Sequence, residues 1–159
     1  MKIKITGEIA LTYFEELRSG KIKNGYTPEL IEIFDLSLEN RILDSLELNG
    51  ITFHNCSFIN VDFYCSEMNS VVFENCKMKK VILRKSALNR SQFINCKLDS
   101  CDFSKTEIIK SKIIGCDFLM SDFSGAILSS SNISDTSFKN CIFYDSAISD
   151  NIESMVVWN

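Results

Sequence analysis

A large apolar residue recurs at every fifth position from Phe53 onward, without a gap, for about a hundred residues. Phe53, Phe58, Phe63, Met68, Phe73, Met78, Leu83, Leu88, Phe93, Leu98 and Phe103 open the series. Ile108, Ile113, Phe118, Phe123, Leu128, Ile133, Phe138, Phe143 and Ile148 complete it. Two positions before each stands a second series, nearly all small or β-branched: Ile51, Cys56, Val61, Ser66, Val71, Cys76 and Val81, through to Ala126, Ser131, Thr136, Cys141 and Ser146. A period of five matches neither an α-helix at 3.6 nor a strand at 2, so it describes a chain that turns a corner every five residues.

A spacing of twenty sorts both series into columns of distinct composition. One small-residue column reads Cys56, Cys76, Cys96, Cys116, Thr136, and another reads Ser66, Ser86, Thr106, Ala126, Ser146. Phe63, Leu83, Phe103, Phe123 and Phe143 form a largely aromatic column, whereas Met68, Leu88, Ile108, Leu128 and Ile148 contain no aromatic. Asn55, Asn75 and Asn95 align in the same way. Twenty superposed on five means four sides per turn, each residue lying over the one twenty earlier. Such a solenoid buries a continuous core only by stacking its turns.

Runs such as Val61-Asp62-Phe63, Cys101-Asp102-Phe103, Ser121-Asp122-Phe123 and Ser131-Asn132-Ile133 resemble the pentapeptide-repeat proteins. The unit of that family is a small residue, Asp or Asn, Leu or Phe, and two variable residues. The resemblance covers roughly residues 36 to 150. It implies an all-β solenoid, a right-handed quadrilateral β-helix with the small and large residues pointing inward. This chain departs from the family by using Cys, Ser and Val at the small position, where Ala appears only as Ala126. Five turns at strand spacing predict a rod about 24 Å long.

Both ends of an open coil expose strand edges and need covering. Residues 1–34 are expected to form a cap: Lys2-Ile3-Lys4-Ile5 alternates like a strand, and Glu8 to Arg18 reads as an amphipathic helix with Thr6 as N-cap and Gly20 as its stop. A second helix start falls at Thr27-Pro28-Glu29, with proline at its first position. Residues 35–150 form the coil. Its first turn is expected to be distorted, because Ile31, Leu36, Arg41 and Leu46 are too large for the small slot. Residues 151–159 form a C-terminal apolar cap: Glu153 breaks the beat, and Met155-Val156-Val157-Trp158 either plugs the last turn or meets a second copy.

Little in the chain suggests catalysis. Six of the seven cysteines occupy the inward small slot, where thiols behave as small apolar groups. A straight ladder of Cys56, Cys76, Cys96 and Cys116 cannot surround a zinc ion tetrahedrally and is poorly oriented for disulfides. No metal or other cofactor is therefore expected, and a reducing, cytoplasmic setting follows. Cys65 alone falls at a corner. His54, the only histidine, follows a core Phe in an outward position and is expected to be a surface residue without a carboxylate partner. Gly115 and Gly125 are corner residues and form no phosphate-binding loop. No segment has the apolar length to span a membrane or the form of a signal peptide. The chain is read as not an enzyme.

Charge narrows the function further. The quinolone-resistance members of the family imply one mechanism, protection of DNA gyrase and topoisomerase by a rod shaped and charged like DNA. That mechanism needs a continuous negative surface, yet residues 51–150 carry eleven acidic and eleven basic side chains. Within residues 77–112 ten are basic and three acidic. Lys77, Lys79, Lys80, Arg84, Lys85, Arg90 and Lys97 form a positive belt that opposes such mimicry. Ile94, Ile109, Ile114, Leu119 and Met120 take outward or corner positions on adjoining faces. They are expected to form an apolar patch, with Ile94 and Ile114 in contact.

The resulting expectation is a non-enzymatic, protein-binding rod that meets a macromolecular partner through the patch and the belt. Gyrase protection is the first alternative, and an immunity or antitoxin role the second. Nucleic acid is a weaker candidate partner, since no surface aromatics interleave the belt. A homodimer would use the C-terminal tail or the apolar patch.

Overall fold

The computed structural model describes residues 3–21 and 31–158. The five-residue beat is a backbone phenomenon before it is a packing one. Two residues after each large apolar side chain the backbone enters the left-handed region, with φ of 54° at Asn55, 55° at Asn75, 53° at Asn95 and 64° at Gly115. Each such residue turns the chain through one corner. Asn, Asp and Gly tolerate this conformation best, and they hold many of the corners.

Corners every five residues bring the chain back over itself every twenty. Phe53 pairs with Phe73, Phe73 with Phe93, Phe93 with Ile113 and Ile113 with Ile133, all in parallel. The result is the expected all-β solenoid, a parallel coil of about 6 four-sided turns, one more than predicted. Counting from the face that carries Phe53, the second carries Phe58, the third Phe63 and the fourth Met68. The third face is joined by single bridges, such as Asp62 to Ile82 and Ile82 to Asp102.

Inside, the small slot does more than leave room. Many polar residues in it donate to a carbonyl of the previous turn: Cys76 Sγ to Phe53 O at 3.5 Å, Cys96 Sγ to Phe73 O at 3.3 Å, Cys116 Sγ to Phe93 O at 3.4 Å. Ser111 Oγ does the same to Leu88 O at 3.0 Å. Thr106 and Ser121 instead donate within their own turn, to Phe103 O and Leu119 O. Buried hydroxyls and thiols are thereby satisfied, which is how Ser, Thr and Cys are accommodated in the slot. Phe53, Phe58, Phe63, Phe73, Phe93, Phe103, Phe118, Phe123 and Phe138 are fully buried, as are Cys56, Cys76, Cys96 and Cys116.

The N-terminal end is covered by strand β1 (Ile3–Thr6), helix α1 (Gly7–Arg18) and strand β2 (Ile31–Phe34). β1 pairs in parallel with β2, which pairs with Thr52–His54 in the twenty-residue register. Thr6 stands at the N-cap in an extended conformation but makes no capping side-chain bond. Gly20 turns the chain away with φ of 71°. Ala10 and Phe14 of α1 are buried against the open end of the coil, Phe14 6.4 Å from Phe53. The helix start expected at Thr27-Pro28-Glu29 lies outside the described residues.

The first turn is not distorted. Ser37–Ile42 pairs in register with Ser57–Asp62, and Leu36 and Leu46 are buried in the small slot. Arg41 alone stays exposed. Nor does the C-terminal tail plug the coil. Ile152–Trp158 adds a rung to the first and second faces, pairing in parallel with Asn132–Phe138. Trp158 stacks 4.4 Å from Phe138, and its Nε1 donates to Glu153 Oε2 at 3.1 Å. The third and fourth faces receive no such rung. Phe143, expected in the core, is therefore only half-buried, and Ile148 is 40% exposed.

Candidate interaction surface

Three positions in each unit point outward: the residues on either side of the large apolar one, and the corner. Fixed ladders hold these columns one strand spacing apart, about 4.8 Å. The candidate surface is thus a lattice of side chains whose positions the twenty-residue register sets.

The apolar residues lie on three adjoining faces. Ile94 and Ile114 are ladder partners on the first face, as expected, but Glu74 precedes them and Ser134 follows in the same column. Ile109 belongs to the fourth face, paired with Ser129. Leu119 lies on the second, between Asp99 and Lys139. Met120 occupies the next corner with φ of 48° and is 53% exposed. Three different faces separate them because residues five and ten apart lie one and two sides around the coil.

Apart from Arg84, the basic side chains of the belt fall on the second face and on three corners. Lys77 and Lys97 are ladder partners on the second face, and Lys79 lies 3.8 Å from Asp99. Lys80, Lys85 and Arg90 occupy three successive corners with positive φ. Arg84 and Lys85 sit over the ring of Tyr64, at 5.3 and 5.6 Å from its centroid. Placing like charges side by side is unfavourable in a sheet, so neither the Lys77–Lys97 pair nor the corner cations are explained by fold stability.

His54 corrects another expectation. Its Nδ1 lies 2.8 Å from Glu74 Oε2, its Nε2 3.8 Å from Glu32 Oε1, and its ring stacks on Phe34 at 4.5 Å. The signal was present in the sequence: Glu74 stands twenty residues after His54, and Phe34 twenty before. Among the thiols, Cys65 is exposed and Cys141 half-buried. Burial pushes the Cys101 thiol up to about 12. Cys76 and Cys116 are held up by hydrogen bonding to their ladder neighbours and by burial. No group of three or more His, Cys, Asp or Glu able to hold a metal occurs among the described residues. No helix among them is long and apolar enough to cross a membrane.

In keeping with corners every five residues and a register of twenty, the family model for pentapeptide repeats matches in 8 copies over residues 66–105 and 110–143. This is a pentapeptide-repeat protein. Full-length QnrB1, a plasmid-mediated fluoroquinolone resistance protein, is similar in structure with a TM-score of 0.44 and 16% identity, over 96% of this chain and 91% of that one. HetL, a pentapeptide-repeat protein involved in heterocyst differentiation regulation in Nostoc sp. strain PCC 7120, aligns with a TM-score of 0.27 and 10% identity, over 91% of this chain and 93% of HetL. Rfr23 from the cyanobacterium Cyanothece 51142 aligns with a TM-score of 0.34 and 12% identity, over 80% of this chain and 88% of that one. No curated protein matches the sequence.

Proposed function

We propose that this pentapeptide-repeat protein is a non-enzymatic rod that binds a macromolecular, protein partner through its outward faces. The observation that carries this reading is the contrast between columns. Inward columns repeat one kind of side chain, whereas outward columns change at nearly every step. One reads His54, Glu74, Ile94, Ile114, Ser134 and another Tyr64, Arg84, Ser104, Ser124, Tyr144. A rigid ladder holding unlike side chains at fixed spacing is preorganised for recognition, since little ordering entropy remains to be lost on binding. The belt and the Ile94–Ile114 pair supply the contact chemistry, with Ile109, Leu119 and Met120 flanking it. The free thiols accord with a reducing, cytoplasmic setting.

Capture from extract of the native cell tests the reading, with the Lys77→Glu/Lys97→Glu variant beside the natural protein. A specific protein retained by the natural rod and lost by the variant, with retention weakening as salt rises, supports it. Equal capture by both removes the belt from the interface. Gyrase protection demands a negative rod, which the belt interrupts. Rescue of gyrase supercoiling from a quinolone by this protein would displace the present reading in favour of that one.

The open C-terminal face suits a second copy of the chain. Val157 and Trp158 are exposed beside half-buried Phe143 and Val156, so an apolar surface meets an unpaired strand edge. Sizing by light scattering should give twice the mass of one chain, reduced to one by Val157→Lys. A single-chain mass for the natural protein removes the dimer.

A further inference from the structure

Where the third face turns into the fourth, the corner column passes from Lys85 and Lys105 to Gly125 and Asp145. Gly125 has no side chain, and its outward neighbours in the adjacent column are the small Ser104 and Ser124. A groove of about 450 Å³ results. Arg84, Lys85 and Lys105 form one wall, and Tyr144 and Asp145 the other.

Three features of this groove are unexplained by the fold. First, Arg84, Lys85 and Lys105 lie close together, yet none makes an ion pair with any described residue. Second, Lys85 and Lys105 take φ of 61° and 57°, a conformation better suited to Asn, Asp or Gly. Third, Tyr144 is 79% exposed, a large ring with nothing packed over it. The floor adds chemical direction. Ser104 Oγ donates to Asp102 Oδ1, and Ser124 Oγ donates to Asp122 Oδ1. Each hydroxyl has thereby used its one proton, and what it offers the groove is acceptor lone pairs.

We propose that this groove receives an extended segment of a protein partner, in which an acidic residue is followed three positions later by a basic one. The inference rests on the protein-binding reading above and names the chemistry of the partner. The acidic side chain meets the three cations, and the basic one meets Asp145 and the face of Tyr144. Lys105 and Asp145 are two turns apart, about 10 Å at strand spacing, and a segment in the extended polyproline II conformation, with three residues per turn, sets side chains three apart on one side at about 9 Å. An accepting floor suits peptide N–H groups and not phosphate oxygens. A polyanion of uniform charge would also set a phosphate against Asp145, so nucleic acid fits the site poorly.

The test is an NMR titration of the ¹⁵N-labelled protein with three probes: the peptide acetyl-Glu-Gly-Gly-Lys-amide, its acetyl-Glu-Gly-Gly-Glu-amide counterpart, and a single-stranded oligothymidine. The expected result is a saturable shift of the Ser104, Ser124 and Gly125 amides with the Glu-to-Lys peptide, at least tenfold weaker with the Glu-to-Glu peptide. Arg84→Glu/Lys105→Glu should abolish the shift, and Asp145→Lys should reverse the preference between the two peptides. All three positions are exposed, so matching thermal melts verify that the variants are folded. No saturable shift at these amides, equal response to both peptides, or tighter response to the oligonucleotide would overturn the proposal. So would undiminished capture of a partner by Arg84→Glu/Lys105→Glu, an outcome that leaves the rod as a protein binder and removes only the groove.

Discussion

Phe103 lies flat against Phe123 one turn above it, ring centroids 4.8 Å apart and planes 5° from parallel. Phe93 and Phe118 approach its edges at 6.1 and 5.8 Å. A ring with neighbours on three sides in a close-packed stack leaves a cavity that the ladders around it prevent from collapsing. Phe103→Ala should therefore destabilise the protein by about 3–5 kcal/mol. A urea denaturation curve measures this, and a loss below about 1 kcal/mol would contradict the central place of the stack.

The corners make a prediction of opposite sign at two sites. At Gly115 a Cβ would stand 2.5 Å from Asn95 Oδ1, and the backbone is left-handed besides. Gly115→Ala should cost about 1–2 kcal/mol. Lys110 holds the same left-handed conformation at φ 57° with a side chain that does not favour it. Lys110→Asn should be neutral to stabilising, by up to about 1 kcal/mol. Chemical denaturation of both variants against the natural protein checks the pair. A destabilised Lys110→Asn would mean that the lysine side chain contributes more than its backbone conformation costs.

These examples also mark how far the sequence is readable. The stack of Phe103 on Phe123 and the corner at Gly115 both follow from counting, because a coil with uniform sides converts sequence spacing directly into position. His54 against Glu74 obeys the same count, and was obscured only by treating a lone histidine as a lone site. The Ile94–Ile114 pair was legible, and Ile109 and Leu119 lie on the faces either side of it, since each corner moves the chain one face around. The ends follow the count only in part. Trp158 keeps the count, pairing with Phe138 twenty residues earlier, but α1 with Phe14 against Phe53 is a contact that no repeat dictates. The groove at Gly125 depends on what is missing from one corner, a signal visible only beside its neighbours.

Cysteine exposure gives a direct readout of the inward assignment. The chain has seven thiols, of which Cys65 is exposed, Cys141 half-buried and the remaining five buried. A thiol-specific alkylating reagent at pH 7.5 should modify Cys65 within minutes. Cys141, raised by burial, should follow more slowly, and the other five only as the protein unfolds. Peptide mapping by mass spectrometry identifies the modified sites. Rapid labelling of Cys76 or Cys96 in the folded protein would show that the small slot does not face inward.

Alkaline pH should expose the same burial as a change in stability. In the folded protein the Cys101 thiol is pushed up to about 12 from an ordinary value near 9.0, and Tyr13 rises to about 12 from 10.0. Both are neutral when protonated, so a raised folded value means the fold favours the protonated form. Below pH 9 each is protonated in folded and unfolded chains alike, and its contribution to stability is fully present. Between pH 9 and 12 the unfolded chain releases the Cys101 proton while the folded one keeps it. Stability then falls by about 1.4 kcal/mol per pH unit for that thiol, with Tyr13 adding to the slope above pH 10. Urea midpoints under reducing conditions should be level from pH 7 to 8.5 and decline from pH 9 to 11. Cys101→Ala should make that decline shallower without abolishing it, since Cys76, Cys116 and Cys141 are raised as well, even though it lowers the midpoint throughout. A midpoint that holds steady or rises up to pH 11 would place Cys101 in contact with water and break the column to which it belongs.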